Sequence, residues 1–148
     1  MIVLGLRLME LQHLWRNKMR VVSIKEPYAS LIKEGIKHIE TRSWKTKYRG
    51  ELYIHASLSK VDEKYYSKEG LRDLIQDLTF NHGSIICKVN LVDCIEMTEN
   101  YILEMKENNP IEYCCGAYEV GRYAWVFEDL EVIEPILAKG KLGIWRYE

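Results

Sequence analysis

SIKEPYASLIKEGIKHIETRSW, residues 23–44, changes its periodicity once, and that change organises the whole reading. Pro27 suits the first turn of a helix, where its missing N–H costs nothing. Tyr28, Leu31 and Ile32 stand at i, i+3 and i+4 and give that helix a buried face. Gly35 is placed to end it in a left-handed conformation. From there the period becomes two. His38, Glu40, Arg42 and Trp44 fall on one strand face, with Ile39, Thr41 and Ser43 on the other. By strict alternation Lys37 points away from Glu40 and Arg42, although it directly follows the helix end, where the backbone need not be extended.

The surrounding chain extends this pattern. RVVSIK (20–25) reads as a strand before the helix, and ELYIHAS (51–57) as a strand after it. Residues 61–80 read as a helix with Leu71, Leu74, Ile75 and Leu78 as its stripe. SIICKVNLVDCIEM (84–97) reads as a long strand bent near Asn90. Thr98 can cap a helix over TENYILEMKEN (98–108). Two strands, RYAWVFEDLEVI (122–133) and LGIWRY (142–147), follow around a proline-containing turn. Strands outnumber helices, which predicts a mixed α+β fold, a small β-barrel with helices packed around it. Leu4, Leu8, Leu11 and Trp15 make a helical stripe in residues 1–18, so these read as an added amphipathic N-terminal helix, with the functional domain over 19–148.

The 148 residues suit one domain, and 47% apolar with 29% charged residues is ordinary for a globular chain. No window reaches ~18 consecutive apolar residues, and the N-terminus lacks the features of a secretory signal, so the expectation is a cytoplasmic protein with no membrane partner. Cys87, Cys94, Cys114 and Cys115 form no C-x-x-C pair and the histidines are scattered, which predicts no metal site and no cofactor. The adjacent Cys114 and Cys115 are expected to be reduced thiols.

A net charge of −1 argues against a protein that coats nucleic acid by electrostatics alone. The charge is uneven, however. From Lys33 to Arg49 there are six Lys/Arg against two Glu; from Glu96 to Glu119, six Glu against Lys106. That suits a localised site for an anionic or polar ligand.

Glu40 and Arg42 can meet along one strand face, the carboxylate to accept an amine and the guanidinium to clamp an oxygen pair. Trp44, on the same face, is the stacking candidate, whereas Trp125 and Trp145 read first as core. His55 and Ser57, on the polar face of a neighbouring strand, can add hydrogen bonds, and Tyr28 joins the ligand-binding set. No nucleophile elbow or phosphate loop is present, and KGKLG (139–143) reads as a turn.

Taken together, these residues resemble the ASCH domain, a PUA-like family. The carrying features are the Pro-aromatic helix start, G-x-K-x-x-E-x-R as Gly35, Lys37, Glu40 and Arg42, then GELYIHAS, YAWVFEDLEVIEPI and KGKLGIW in order. The resemblance implies a small PUA-like barrel with its first helix over a cleft. It implies that Lys37, Glu40 and Arg42 line that cleft, with RNA or a nucleotide-like small molecule as ligand, and a role in translation-related regulation. Some relatives hydrolyse the acyl amide of N4-acetylcytidine with a lysine, a threonine three residues on and a distant glutamate. Lys37 matches the lysine and would be catalytic if the protein is an enzyme; Glu40 stands where the threonine would be. A recognition site for a base or nucleotide is therefore the first expectation and a hydrolase the alternative. A protein partner at the acidic stretch or the N-terminal segment ranks third.

Overall fold

A computed structural model describes residues 19–64 and 70–147. The helix expected over residues 1–18 lies outside the described residues. Within them, β1 (Arg20–Ile24) leads through α1 (Tyr28–Lys33) to β2 (Ile39–Arg42) and β3 (Gly50–Ala56). Then follow α2 (Leu71–Ile75), β4 (Ser84–Glu96), α3 (Glu99–Asn108), α4 (Pro110–Cys114), β5 (Tyr123–Leu137) and β6 (Ile144–Arg146).

The six strands make one sheet in the order β2-β5-β4-β3-β1-β6, curled into a half-barrel with β2 and β6 as its edges. Only β1 and β3 run parallel; the other neighbours are antiparallel. Alternation along the strands divides the apolar residues between two faces. Val22 and Ile24 of β1, Leu52 and Ile54 of β3, Val89 of β4 and Trp125 of β5 form one core cluster with Ala29 and Ile32 of α1. Val21, Tyr53, Ile85 and Trp145 pack together in a separate cluster with Met19. Trp125 is fully buried and Trp145 nearly so, as expected of core aromatics.

β4 and β5 are long enough to bend around this core because their pairing slips three times, at Ile85/Cys87, Lys88/Asn90 and Leu91/Asp93. The middle slip is the bend expected near Asn90. Pro135 corrects the reading of two strands around a proline turn: β5 runs through it to Leu137. Pro135 falls within the first slip, where β5 carries extra residues between the pairs Ile85–Ile136 and Cys87–Val132. A residue without an N–H is tolerated at such a bulge. The turn before β6 is instead the 138–143 loop.

Thr98 caps α3 as expected, its Oγ1 accepting the Tyr101 N–H at 3.1 Å. α2 ends at Ile75, so residues 76–80 leave the helix expected over 61–80. The sequence reading also lacked α4, a five-residue helix with Pro110 in its first turn.

Candidate functional site: an acidic floor in a basic cleft

α1 ends as its sequence predicts, and the manner of its ending aims Lys37. Gly35 adopts φ 74°. Its N–H bonds the Ile32 carbonyl, and the Ile36 N–H bonds the Leu31 carbonyl, both at 3.0 Å. This is the paired closure of a Schellman turn, which needs a residue at ease with positive φ. The Lys37 N–H bonds Leu31 as well, at 3.0 Å. Lys37 thus belongs to the helix closure and not yet to β2, so strand alternation does not govern it. Its side chain turns inward, toward Glu40, which settles the direction that alternation alone leaves open.

Lys37 is 1% exposed. Its Nζ donates to the carbonyls of Ile39 and Cys115, both at 2.5 Å, and lies 3.5 Å from Glu40 Oε1 and 5.1 Å from the Tyr28 ring centroid. Two carbonyl acceptors, an ion-paired carboxylate and an aromatic face make a shell around the ammonium. Glu40, 7% exposed, meets a second cation through its other oxygen, Arg42 Nε at 3.3 Å. Arg42 Nη2 in turn donates to the Ser23 carbonyl at 2.7 Å. Ser23 is on β1 and Arg42 on β2, strands that are not neighbours in the sheet. The guanidinium therefore spans the opening where the half-barrel curls round without closing.

That opening is the cleft, about 740 Å³ in volume. Lys37, Glu40 and Arg42 lie on its wall, and Tyr28, Trp44, His55 and Ser57 line it too, so all seven candidate residues are brought into one place. Trp44 is 37% exposed and sets its ring edge-on to Trp125, centroids 4.8 Å apart, while its carbonyl accepts the Trp125 indole N–H at 3.3 Å. It follows β2 and lines the cleft as a partly exposed ring.

His55 and Ser57 reach the cleft by a different route from the one expected. β3, which carries His55 and ends one residue before Ser57, neighbours β1 and β4, not β2. His55 is paired across the parallel ladder with Ser23, whose hydroxyl donates to Nδ1 at 3.0 Å. Nε2–H donates to the Ala138 carbonyl at 2.7 Å, and the Trp145 indole N–H donates to Ser23 Oγ at 3.2 Å. The network assigns the Nε2–H tautomer. His55 is a satisfied, buried imidazole that anchors the loop after β5. Burial lowers its pKa below the usual histidine value, partly offset by the Ala138 hydrogen bond. The neutral form is thus favoured by folding, and stability is full above ~6.5, the unfolded value, and falls as pH drops through the lower folded value. Thermal melts from pH 7.5 to 5 are expected to show a loss that His55→Asn flattens.

Three parts of the site were absent from the sequence reading. The first is Glu112 of α4, 2% exposed, whose Oε1 accepts the His38 N–H at 2.7 Å and whose Oε2 accepts the Ile39 N–H at 3.1 Å. One carboxylate so fixes the start of β2. The second is the 115–117 segment, which supplies the Cys115 carbonyl to Lys37 and the Ala117 N–H to Thr41 Oγ1 at 3.0 Å. Gly116 lies so near β2 that an added Cβ would come within 2.8 Å of Thr41 Cγ2. The third is the KGKLG loop. It is a turn, as read, but it also forms one lip of the cleft. Pro110 at a helix start was a legible signal for α4; nothing local signals the other two.

The cysteines are free, and burial pushes the Cys87 and Cys115 thiols up to about 12, with Cys114 adding to the rise at Cys115. Such thiols are poor nucleophiles at neutral pH. Among the described residues no group of His, Cys, Asp or Glu is arranged to hold a metal, and no helix is long and apolar enough to cross a membrane.

The ASCH domain family model matches residues 22–137, spanning β1 to the end of β5, and the chain belongs to the ASCH-domain family. Activating signal cointegrator 1 from Homo sapiens is 33% identical over 138 residues, covering 86% of this chain and 22% of that protein. Its Mus musculus counterpart is 31% identical over 86 residues, covering 53% of this chain and 15% of that protein. The chain thus spans about a fifth of the length of the curated relatives it matches. The ASCH protein from Zymomonas mobilis superposes with a TM-score of 0.50 over 82% of this chain and 74% of its own, at 18% identity, a likeness of fold.

Proposed function

We propose that the protein binds RNA or a nucleotide, taking a base into the cleft between β1 and β2. The observation that carries this is the composition of the wall: Lys25, Lys37, Arg42, Arg122, Lys139 and Lys141 against the single carboxylate of Glu40, with the Trp44 ring at the mouth. In a chain of net charge −1 this is a concentration of cations in one place, which favours an anionic ligand with a flat apolar part. A base stacked on Trp44 gains ~1–3 kcal/mol. Glu40, faced by a cation at each oxygen, presents its remaining lone pairs to an amine edge. Arg42 offers its outer N–H groups to an oxygen. A role in translation-related regulation is part of the same reading.

The experiment is thermal shift with nucleosides, nucleotides and short RNA. A ligand-dependent rise is expected for the wild type and expected to vanish in Glu40→Gln and Arg42→Ala, with circular dichroism confirming that both variants fold. No shift with any of these ligands removes the proposal.

The hydrolase alternative is weaker on the geometry of Lys37. A nucleophile or base needs a free lone pair, and this nitrogen is spent on Ile39, Cys115 and Glu40. Thr41, the nearest threonine, is committed to Ala117. Acetate release from N4-acetylcytidine is expected to match buffer.

A further inference from the structure

The cations of the cleft fall into two sets with different employment. Lys37 and Arg42 are committed: each faces Glu40, and both hold backbone carbonyls. Arg122 is likewise occupied by the carbonyls of Thr41 and Ala117. Lys25, Lys139 and Lys141 are exposed, line the same cleft, and have no carboxylate within ion-pair distance among the described residues. The cations of the floor are therefore each held by protein oxygens, while among the described residues those of the lip are not.

The lip is also fixed in place. Ala138 is held by His55, and Gly140 is pressed against β1 and β3, where a Cβ would come within 2.8 Å of Ser23 Oγ and 2.9 Å of His55 Cε1. Gly140 is anchored between two lysines, so Lys139 and Lys141 are presented on either side of a pinned point. Lys25 follows Ser23 by two residues and stands at the end of β1 on the same side. Lys141 Nζ lies 5.9 Å from the Trp145 ring centroid, a contact that orders its stem without neutralising its charge. Three cations without a carboxylate partner among the described residues, lining one cleft, favour a counter-anion there. A singly charged group answers one of them; a doubly charged one answers more.

We infer that Lys25, Lys139 and Lys141 form a phosphomonoester subsite, so that the cleft takes a nucleotide or a strand end bearing a terminal phosphate. This rests on the cleft reading above for the base, but the phosphate subsite is tested separately from it. An internal phosphodiester carries one charge and continues on both sides; a terminal phosphate carries up to two and ends the chain.

The test is calorimetric titration with the four nucleosides, their 5′- and 3′-monophosphates, a dinucleoside phosphate without a terminal phosphate, and ribose 5-phosphate. A monophosphate is expected to bind roughly 10- to 100-fold tighter than its nucleoside, the range for hydrogen bonds to charged groups. The double variant Lys139→Ala/Lys141→Ala should erase that gain, so that nucleoside and monophosphate bind the variant alike. Raising salt should weaken the monophosphate more than the nucleoside. Equal affinity for nucleoside and monophosphate overturns the subsite, as does a dinucleoside phosphate that gains as much as the monoester. Binding of ribose 5-phosphate as tight as that of any nucleotide keeps the subsite and overturns the base reading. Nucleoside binding without a phosphate gain does the reverse.

Discussion

Lys37→Met is expected to lower the unfolding free energy by about 3–5 kcal/mol, the usual cost of breaking a buried ion pair from one side. Methionine keeps most of the volume, so the loss is electrostatic. Glu40 would be left with Arg42 alone, and the Ile39 and Cys115 carbonyls would lose a shared donor. Urea unfolding of the single variant, of Glu40→Gln and of the pair gives the coupling. The pair should cost less than the two singles added, because the second change removes the charge the first left stranded. A Lys37→Met protein within about 1 kcal/mol of the wild type would contradict this role. The point bears on any activity screen, since loss of function in a Lys37 variant would first report unfolding.

The second large effect is expected at Glu112. Glu112→Ala removes the acceptor of two backbone N–H groups at the start of β2, and hydrogen bonds to a charged group contribute ~1.5–3 kcal/mol each. A loss of about 3 kcal/mol is the central expectation, with Glu112→Gln milder because an amide oxygen still accepts. Hydrogen exchange separates this from general destabilisation. The His38 and Ile39 amides should lose protection ahead of β3 and β4, and equal loss everywhere would refute a local clamp. Because β2 carries Glu40 and Arg42, the same variant should also weaken any ligand-induced thermal shift.

How much of this could be read from residues alone depends on whether the determinant is local. The change of period at Gly35 is local, and so are Glu40 and Arg42 on one strand face and Thr98 as a cap; these appear in the structure as the pattern implies. The direction of Lys37 stays open in the sequence because it sits inside a helix closure, whose hydrogen bonds run back to Leu31 and leave no mark in the side-chain period. Glu112 acts across more than 70 residues of chain, and its partners are backbone N–H groups, which leave no trace in side-chain pattern. The lip lysines reach the cleft only because β5 continues past Pro135, and proline had been read as its end. His55 and Ser23 meet across a parallel ladder, a pairing that depends on strand order and not on spacing.

Arg42 has one more consequence. β2 is one rim of a sheet that curls without closing, and its Arg42 reaches across the gap to β1, the strand next to the opposite rim. The guanidinium works as a clasp on a cuff. A guest that draws Arg42 toward itself loosens the clasp while filling the gap it held, so binding and closure share one fastening and cannot be tuned independently.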